Sequence, residues 1–188
     1  CDLGASGVMV LANVAGKSLT DPFFKPIWQE IDKRGLPVLL HPTDPPGADF
    51  MDMGEFDLSW SVGFMFDTTL AITRMIFDGF FDSYPNLKLI ASHGGAALPY
   101  LVGRFEKGDE VELPSRRKMK QKPTDYLRHI YYDSITYDPR ALQYLISIVG
   151  SDRVMFGTDW PHQVFDTEAS KRNTEILPKD QCQSIRHQ

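Results

Sequence analysis

The chain has 188 residues, 42% of them hydrophobic and 24% charged, with a formal net charge of −5. That length supports one domain with a sizeable core, and the balance is that of a globular protein, which excludes disordered and fibrous classes. The acidic charge, without a dense basic stripe, excludes the electrostatic footprint of a nucleic-acid binder, and no apolar run approaches the roughly 20 residues of a membrane span. The only cysteines, Cys1 and Cys182, sit at opposite ends and form neither a disulfide framework nor a metal knuckle. The N-terminus lacks a charged region followed by an apolar one, so a reducing, cytoplasmic setting is expected.

In chain order, the first apolar run is Val8 to Val10, too short for a helix and long enough for a strand. Asp21-Pro22 then reads as an N-cap followed by proline at the first helical position. Phe23, Ile27 and Ile31 are expected to share one helix face, and Gly35 sits where the helix should stop. A second strand is expected at Leu36 to Leu40, which makes a β-α-β unit. A long amphipathic stretch from about Trp60 to Phe81 leads to a third strand, Leu87 to Ser92. The segment from Arg104 to Lys122 is rich in charge, including Arg116-Arg117-Lys118, and reads as a solvated helix end and surface loop. A fourth strand, Ile130 to Asp133, precedes a helix opened by Asp138-Pro139. Its apolar Leu142, Leu145, Ile146 and Val149 end at Gly150, and a fifth strand follows at Val154 to Gly157. Strands alternating with helices imply a parallel sheet, and their nearly continuous apolar character suggests cover on both faces.

Three of these strands run into residues with metal or proton chemistry: His41, His93, and Asp159 after Thr158. In parallel α/β folds, functional side chains come from the C-terminal ends of the strands, so the three should converge at one mouth. Imidazole nitrogen and carboxylate oxygen form the ligand set of a catalytic zinc or similar divalent ion. Gly94 and Gly95 allow a tight turn after His93 and bring backbone close to a substrate. His162, three positions after Asp159, reads either as a pocket-lining residue or as a loop bystander outside the ligand set. Trp60 and Phe64 could form an apolar pocket wall or simply the buried face of a helix, the reading the spacing favours. His129 and His187 read as structural or surface residues.

The segments HPTDPPG (His41 to Gly47), SHGGAALPYLVGR (Ser92 to Arg104) and MFGTDWPH (Met155 to His162) resemble the amidohydrolase-related family of aminocarboxymuconate semialdehyde decarboxylase and the resorcylate and carboxyvanillate decarboxylases. The likeness also covers LTDPFFKPIWQEIDKRGLPVLLHP and TTLAITRMIFDGFFDSYPNLKLIASHGG, nearly the whole chain. It implies a (β/α)8 TIM barrel of the metal-dependent hydrolase type, with His41 and Asp159 as metal ligands and His93 and Asp159 in acid/base roles. It also implies a homodimer in which Arg104 reaches the neighbouring subunit's pocket and pairs with a substrate carboxylate. Beside the motifs, Trp60 and His162 are further, weaker substrate-binding candidates. The cofactor implied is a divalent ion, zinc in the first place and manganese as the alternative.

The family's first strand ends in a His-x-His pair, and no His-x-His occurs in this sequence. Five strands are also three short of a closed barrel, and 188 residues fall below the roughly 250 typical of the fold. Residues 1–188 are therefore expected to be the C-terminal part of a single barrel domain, about five βα units. The leading functional expectation is non-oxidative decarboxylation of a carboxylated aromatic or muconate-type acid. The alternatives are a metal-dependent hydrolase of a lactone, ester or amide, and an inactive fragment without the His-x-His ligands.

Overall fold

The computed structural model describes residues 4–111 and 118–187. Its main sheet has five parallel strands: β1 (Val8–Leu11), β4 (Pro37–His41), β5 (Lys88–Ala91), β6 (Tyr131–Asp133) and β7 (Val154–Met155), adjacent in chain order. A small antiparallel ribbon, β2 (Asn13–Val14) with β3 (Lys17–Ser18), follows β1. The principal helices are α1 (Lys25–Arg34), α2 (Phe64–Phe77), α3 (Phe80–Ser83), α4 (Val102–Val111), α5 (Pro139–Val149), α6 (Thr167–Glu175) and α7 (Lys179–Arg186). Parallel strands taken in sequence order with helical crossovers form an open arc of a (β/α) barrel.

All five expected strands are present, though β7 closes at Met155, short of Gly157. The expectation of cover on both faces is corrected. In β4, Val38 and Leu40 are fully buried in the core while Pro37, Leu39 and His41 on the opposite face are half-buried. Side chains alternate along a strand, so His41 shares the incompletely covered face of the arc. In the edge strand β1, Met9 is 62% exposed.

The first crossover helix is also corrected. Asp21 caps a short turn, Pro22–Phe24, by accepting the Phe23 N–H at 2.9 Å, and α1 follows to Gly35, whose φ of 60° closes it. The buried face is Phe24, Trp28 and Ile31, whereas Phe23 and Ile27 are 73% and 54% exposed. Ile31 is buried as expected, while Trp28 takes the place expected of Ile27 within the same helix. Trp28 is fixed by donating its indole N–H to the Leu19 carbonyl at 2.9 Å and by packing edge-on against Phe80.

The stretch from Trp60 to Phe81 is not one helix. A wide π-type turn, Ser59–Gly63, opens it, and Gly79, with φ of 69°, separates α2 from α3. A Cβ at Gly79 would lie 2.7 Å from the Lys118 carbonyl oxygen, so the break makes room for the returning chain. The charge-rich segment begins as the helix α4. Arg116 and Arg117 lie outside the described residues, while Lys118 pairs with Asp78. α5 behaves as its sequence dictates: Asp138 accepts the Arg140 N–H, Pro139 opens the helix, and Leu142, Leu145, Ile146 and Val149 are buried. No helix among the described residues is long and apolar enough to cross a membrane.

Candidate metal and acid–base site

The strand register decides which side chains meet. Leu11 pairs with His41, Leu40 with Ala91, Ala91 with Tyr132, and Asp133 with Met155, so the residues just beyond these pairs lie along one edge of the sheet. There the His93 Nε2 is 3.5 Å and the His41 Nε2 4.0 Å from the Asp159 Oδ1, and all three side chains are largely buried. The convergence expected from the strand ends is therefore present.

The His41 ring has a defined tautomer. Its Nδ1 lies 3.0 Å from the Pro42 carbonyl, which can only accept, so Nδ1 carries the proton and the Nε2 lone pair is free. That Nε2 is buried without a hydrogen-bond partner. An unpartnered buried imidazole nitrogen beside a carboxylate is the arrangement that coordination of a cation satisfies, and the carbonyl behind it is the usual outer support of a ligating histidine. The coordinating atoms of His41, Asp159 and His162 all lie within 4.8 Å of one another. These residues fit a divalent ion.

His93 is presented from strained backbone, with φ of 55°, and Asp159 likewise, with φ of 62°. Non-glycine residues in this region cost energy and persist where the surroundings over-determine them. The strand-end residue Asp133 supplies that constraint for His93. It is buried, and its carboxylate accepts the backbone N–H groups of His93, Gly94 and Ile135. Burial pushes the Asp133 carboxyl up to about 7, against the pull of those donors. Burial also lowers the His93 pKa, the neighbouring Asp159 charge opposing it. Gly94 and Gly95 have φ of 61° and 74°; Gly94 lines the pocket, while a Cβ at Gly95 would come within 2.6 Å of the Tyr132 ring. The close approach at Gly95 is thus to the protein's own core.

Other contributors stand outside the three histidine and aspartate motifs. Tyr137, also with positive φ, has its hydroxyl 3.2 Å from both the Asp159 Oδ2 and the Val164 carbonyl. Burial first, and Asp159 second, raise its pKa. Asp67, buried within α2, accepts the Asn13 side-chain amide on both oxygens and the Thr43 N–H at 3.0 Å, tying the ends of β1 and β4 together. Its pKa is raised, chiefly by burial. Asp133 and Asn13 were visible as polar residues at strand ends, and Asp67 as a charge in an otherwise apolar helix face. Nothing local marks Tyr137.

The site opens into a cavity of about 410 Å³ whose walls are mainly apolar and include Trp60, Phe64, Met65, Tyr100, Tyr144 and Leu145. His41, His93, Asp159 and His162 line its polar end. Trp60 and Phe64 thus belong to the wall, Trp60 from the exposed wide turn Ser59–Gly63. Arg104 is exposed on α4 and is absent from the lining of its own chain's cavity. His129 and His187 are exposed and lie outside it.

A parallel arc of βα units with imidazole and carboxylate gathered at the C-terminal strand edge defines a metal-dependent TIM-barrel hydrolase fold. The chain belongs to the amidohydrolase family, whose sequence profile matches residues 2–183. It is 37% identical to 2-amino-3-carboxymuconate-6-semialdehyde decarboxylase of Dictyostelium discoideum over 161 residues, 85% of this chain and 44% of that protein. It is 31% identical to gamma-resorcylate decarboxylase of Rhizobium radiobacter over 150 residues, 77% of this chain and 46% of that one. The fold matches 5-carboxyvanillate decarboxylase of Novosphingobium aromaticivorans, solved with manganese and 4-hydroxy-3-methoxy-5-nitrobenzoic acid, with a TM-score of 0.87 and 25% identity. That match covers 98% of this chain and 55% of the other. The chain spans less than half the length of the two sequence relatives.

Proposed function

We propose that residues 1–188 form the C-terminal part of one barrel domain, and that the complete barrel carries out non-oxidative decarboxylation of a carboxylated aromatic or muconate-type acid. The observation that carries this reading is the pairing of a free, buried His41 Nε2 with Asp159 and His93 at the polar end of an aromatic-lined cavity. A planar acid fits such walls, and the relatives that act on such acids share the fold.

In this reading His41 and Asp159 hold a divalent ion, zinc or manganese. When bound, the ion supplies Lewis acidity toward a substrate oxygen. Trp60 and His162 flank the substrate, whose ring the apolar wall orients. The bond between the ring carbon and its carboxylate breaks, CO2 leaves, and the electron pair left on carbon takes a proton from His93 or Asp159. The left-handed backbone at both residues supports this role, since strain of this kind gathers at functional sites. Arg104 supplies a guanidinium to a partner subunit's substrate carboxylate in a homodimer, which agrees with its exposed position on α4. The free thiol of Cys182 suits a reducing, cytoplasmic setting.

The test assays CO2 release and ester or lactone hydrolysis side by side on carboxylated phenols, muconate-type acids and lactones, in solvent D2O. CO2 release with deuterium at the vacated carbon is expected, and His93→Ala or Asp159→Ala should lower kcat by roughly 10²–10⁴. Lactone turnover with no CO2 from any acid would move the protein to the hydrolase class.

A further inference from the structure

The plane of the His41 ring and its tautomer are set by different parts of the chain. His162, brought back by a turn in which its N–H donates to the Asp159 carbonyl at 2.9 Å, stacks on the His41 ring with centroids 4.9 Å apart and planes 14° from parallel. Stacking orients the ring but does not decide which nitrogen carries the proton. That choice falls to the Pro42 carbonyl, 3.0 Å from the His41 Nδ1. The same peptide group is held at its other end, where the Thr43 N–H donates to the Asp67 Oδ2 at 3.0 Å.

In a trans peptide the C=O and N–H point in opposite directions. The Pro42–Thr43 unit therefore lies between two groups, its oxygen toward the imidazole and its hydrogen toward the carboxylate. Were that peptide to turn over, it would offer an N–H to the His41 Nδ1, which could then only accept. The ring proton would sit on Nε2 and remove the lone pair that a metal ion needs. The turned-over peptide would also set its oxygen against the Asp67 carboxylate. A negative charge at the N–H end thus favours one orientation, and by polarising the peptide it strengthens the oxygen as an acceptor.

Asp67 is itself fixed for this task. It is 2% exposed, and the groups that reach its carboxylate are donors. The Asn13 amide oxygen accepts the Gly16 N–H at 2.9 Å, so its nitrogen faces both Asp67 oxygens and the Asp44 carbonyl. A tie between two loops needs only a neutral acceptor, whereas a buried carboxylate is costly. An orienting role makes use of the charge.

We propose that Asp67 is the positioning residue for His41: through the Pro42–Thr43 peptide its carboxylate holds the carbonyl on the His41 Nδ1 and keeps the Nε2 lone pair free for a divalent ion. The inference rests on the proposed function only in taking His41 as a metal ligand. It goes further in assigning the tautomer of that ligand to a carboxylate on α2 that does not touch the ring.

The test labels the histidines of the metal-free 188-residue chain with 15N and reads their tautomers from two-bond proton–nitrogen couplings. It is run at pH about 8, above the ordinary imidazole pKa of about 6.5, and the spectrum of His41→Gln identifies the His41 signals. In the wild-type chain His41 should be in the Nδ1–H form alone. Asp67→Ala should give a mixture of both tautomers, whereas Asn13→Ala, which leaves the peptide gripped by Asp67, should keep the Nδ1–H form. Asp67→Asn still accepts the Thr43 N–H but without a charge, so the tautomer should persist with its Nδ1–H proton resonance moved upfield. Circular dichroism checks the fold of each variant, and if Asp67→Ala does not fold, the proton shift in Asp67→Asn decides. A pure Nδ1–H form in folded Asp67→Ala, an unmoved proton in Asp67→Asn, or equal mixtures in Asp67→Ala and Asn13→Ala would each overturn the inference. So would an Nε2–H form in the wild-type chain. None of these results bears on CO2 release, which the assay of the proposed function decides separately.

Discussion

Asp133 grips His93 by the main chain: its Oδ2 accepts the His93 N–H at 2.9 Å while its Oδ1 accepts that of Gly94 at 2.9 Å. The histidine proposed for acid/base work is thus presented by a carboxylate on the neighbouring strand, and the contact is independent of the imidazole. Asp133→Ala leaves three buried N–H groups without their acceptor, each costing about 1–3 kcal/mol unless water reaches it. Urea unfolding should show a loss of at least about 2 kcal/mol, and kcat should fall because His93 is no longer held. An unchanged unfolding midpoint would show that the loop after β5 holds itself.

The same carboxyl makes stability depend on pH. Its folded pKa, about 7, lies above the 3.8 of an unperturbed aspartate. Between those values the folded chain retains a proton that the unfolded chain has released, so the unfolding free energy falls as pH rises. The contribution is full below the lower value and lost as pH passes the upper one. Asp133→Asn carries no such proton, and urea titrations across that window should lose this component of the slope.

Tyr137→Phe removes a single hydroxyl that bridges Asp159 and Val164. The proton goes to the stronger acceptor, the carboxylate, and orients Asp159 so that its Oδ1 faces the two histidines. A loss of about 0.5–1.5 kcal/mol is expected, seen as a roughly 2- to 12-fold fall in kcat with little change in KM. Equal kinetics for the two proteins would mean that the turn at His162 orients Asp159 unaided.

Gly95→Ala tests how tightly the HGG turn is built. The added methyl would meet the buried Tyr132 ring at 2.6 Å in a backbone with φ of 74°. The ring is fixed by its hydroxyl donating to the Leu127 carbonyl at 2.9 Å, so it cannot swing away cheaply. Overpacking of this kind costs about 1–3 kcal/mol, measurable as a lowered thermal midpoint. Gly103→Ala, where nothing lies within 4 Å, is the matched control.

Arg104→Ala should raise KM for a carboxylate substrate by about tenfold or more, the worth of a charge-assisted hydrogen bond. Sedimentation should give a dimer for the assembled enzyme. A fully active monomer with unchanged KM would reduce Arg104 to a solvated position on α4.

By itself the sequence determined five strands in a parallel sheet, the stop of α1 at Gly35, the cap and stop signals of α5, and the three strand ends carrying His41, His93 and Asp159. These depend on short-range periodicity and turn chemistry, which are written locally. Local signals did not determine which face of α1 is buried, because apolar residues stand on adjacent faces and tertiary contacts of Trp28 with Leu19 and Phe80 choose Phe24, Trp28 and Ile31 over Phe23 and Ile27. Nor did they reveal the roles of Asp133 and Tyr137, which act on residues 40 and 22 positions away. Strand pairing alone brings those groups within hydrogen-bond reach. For the same reason only the tertiary structure showed that the fourth strand end holds the loop of the third, and that His162 folds back onto His41.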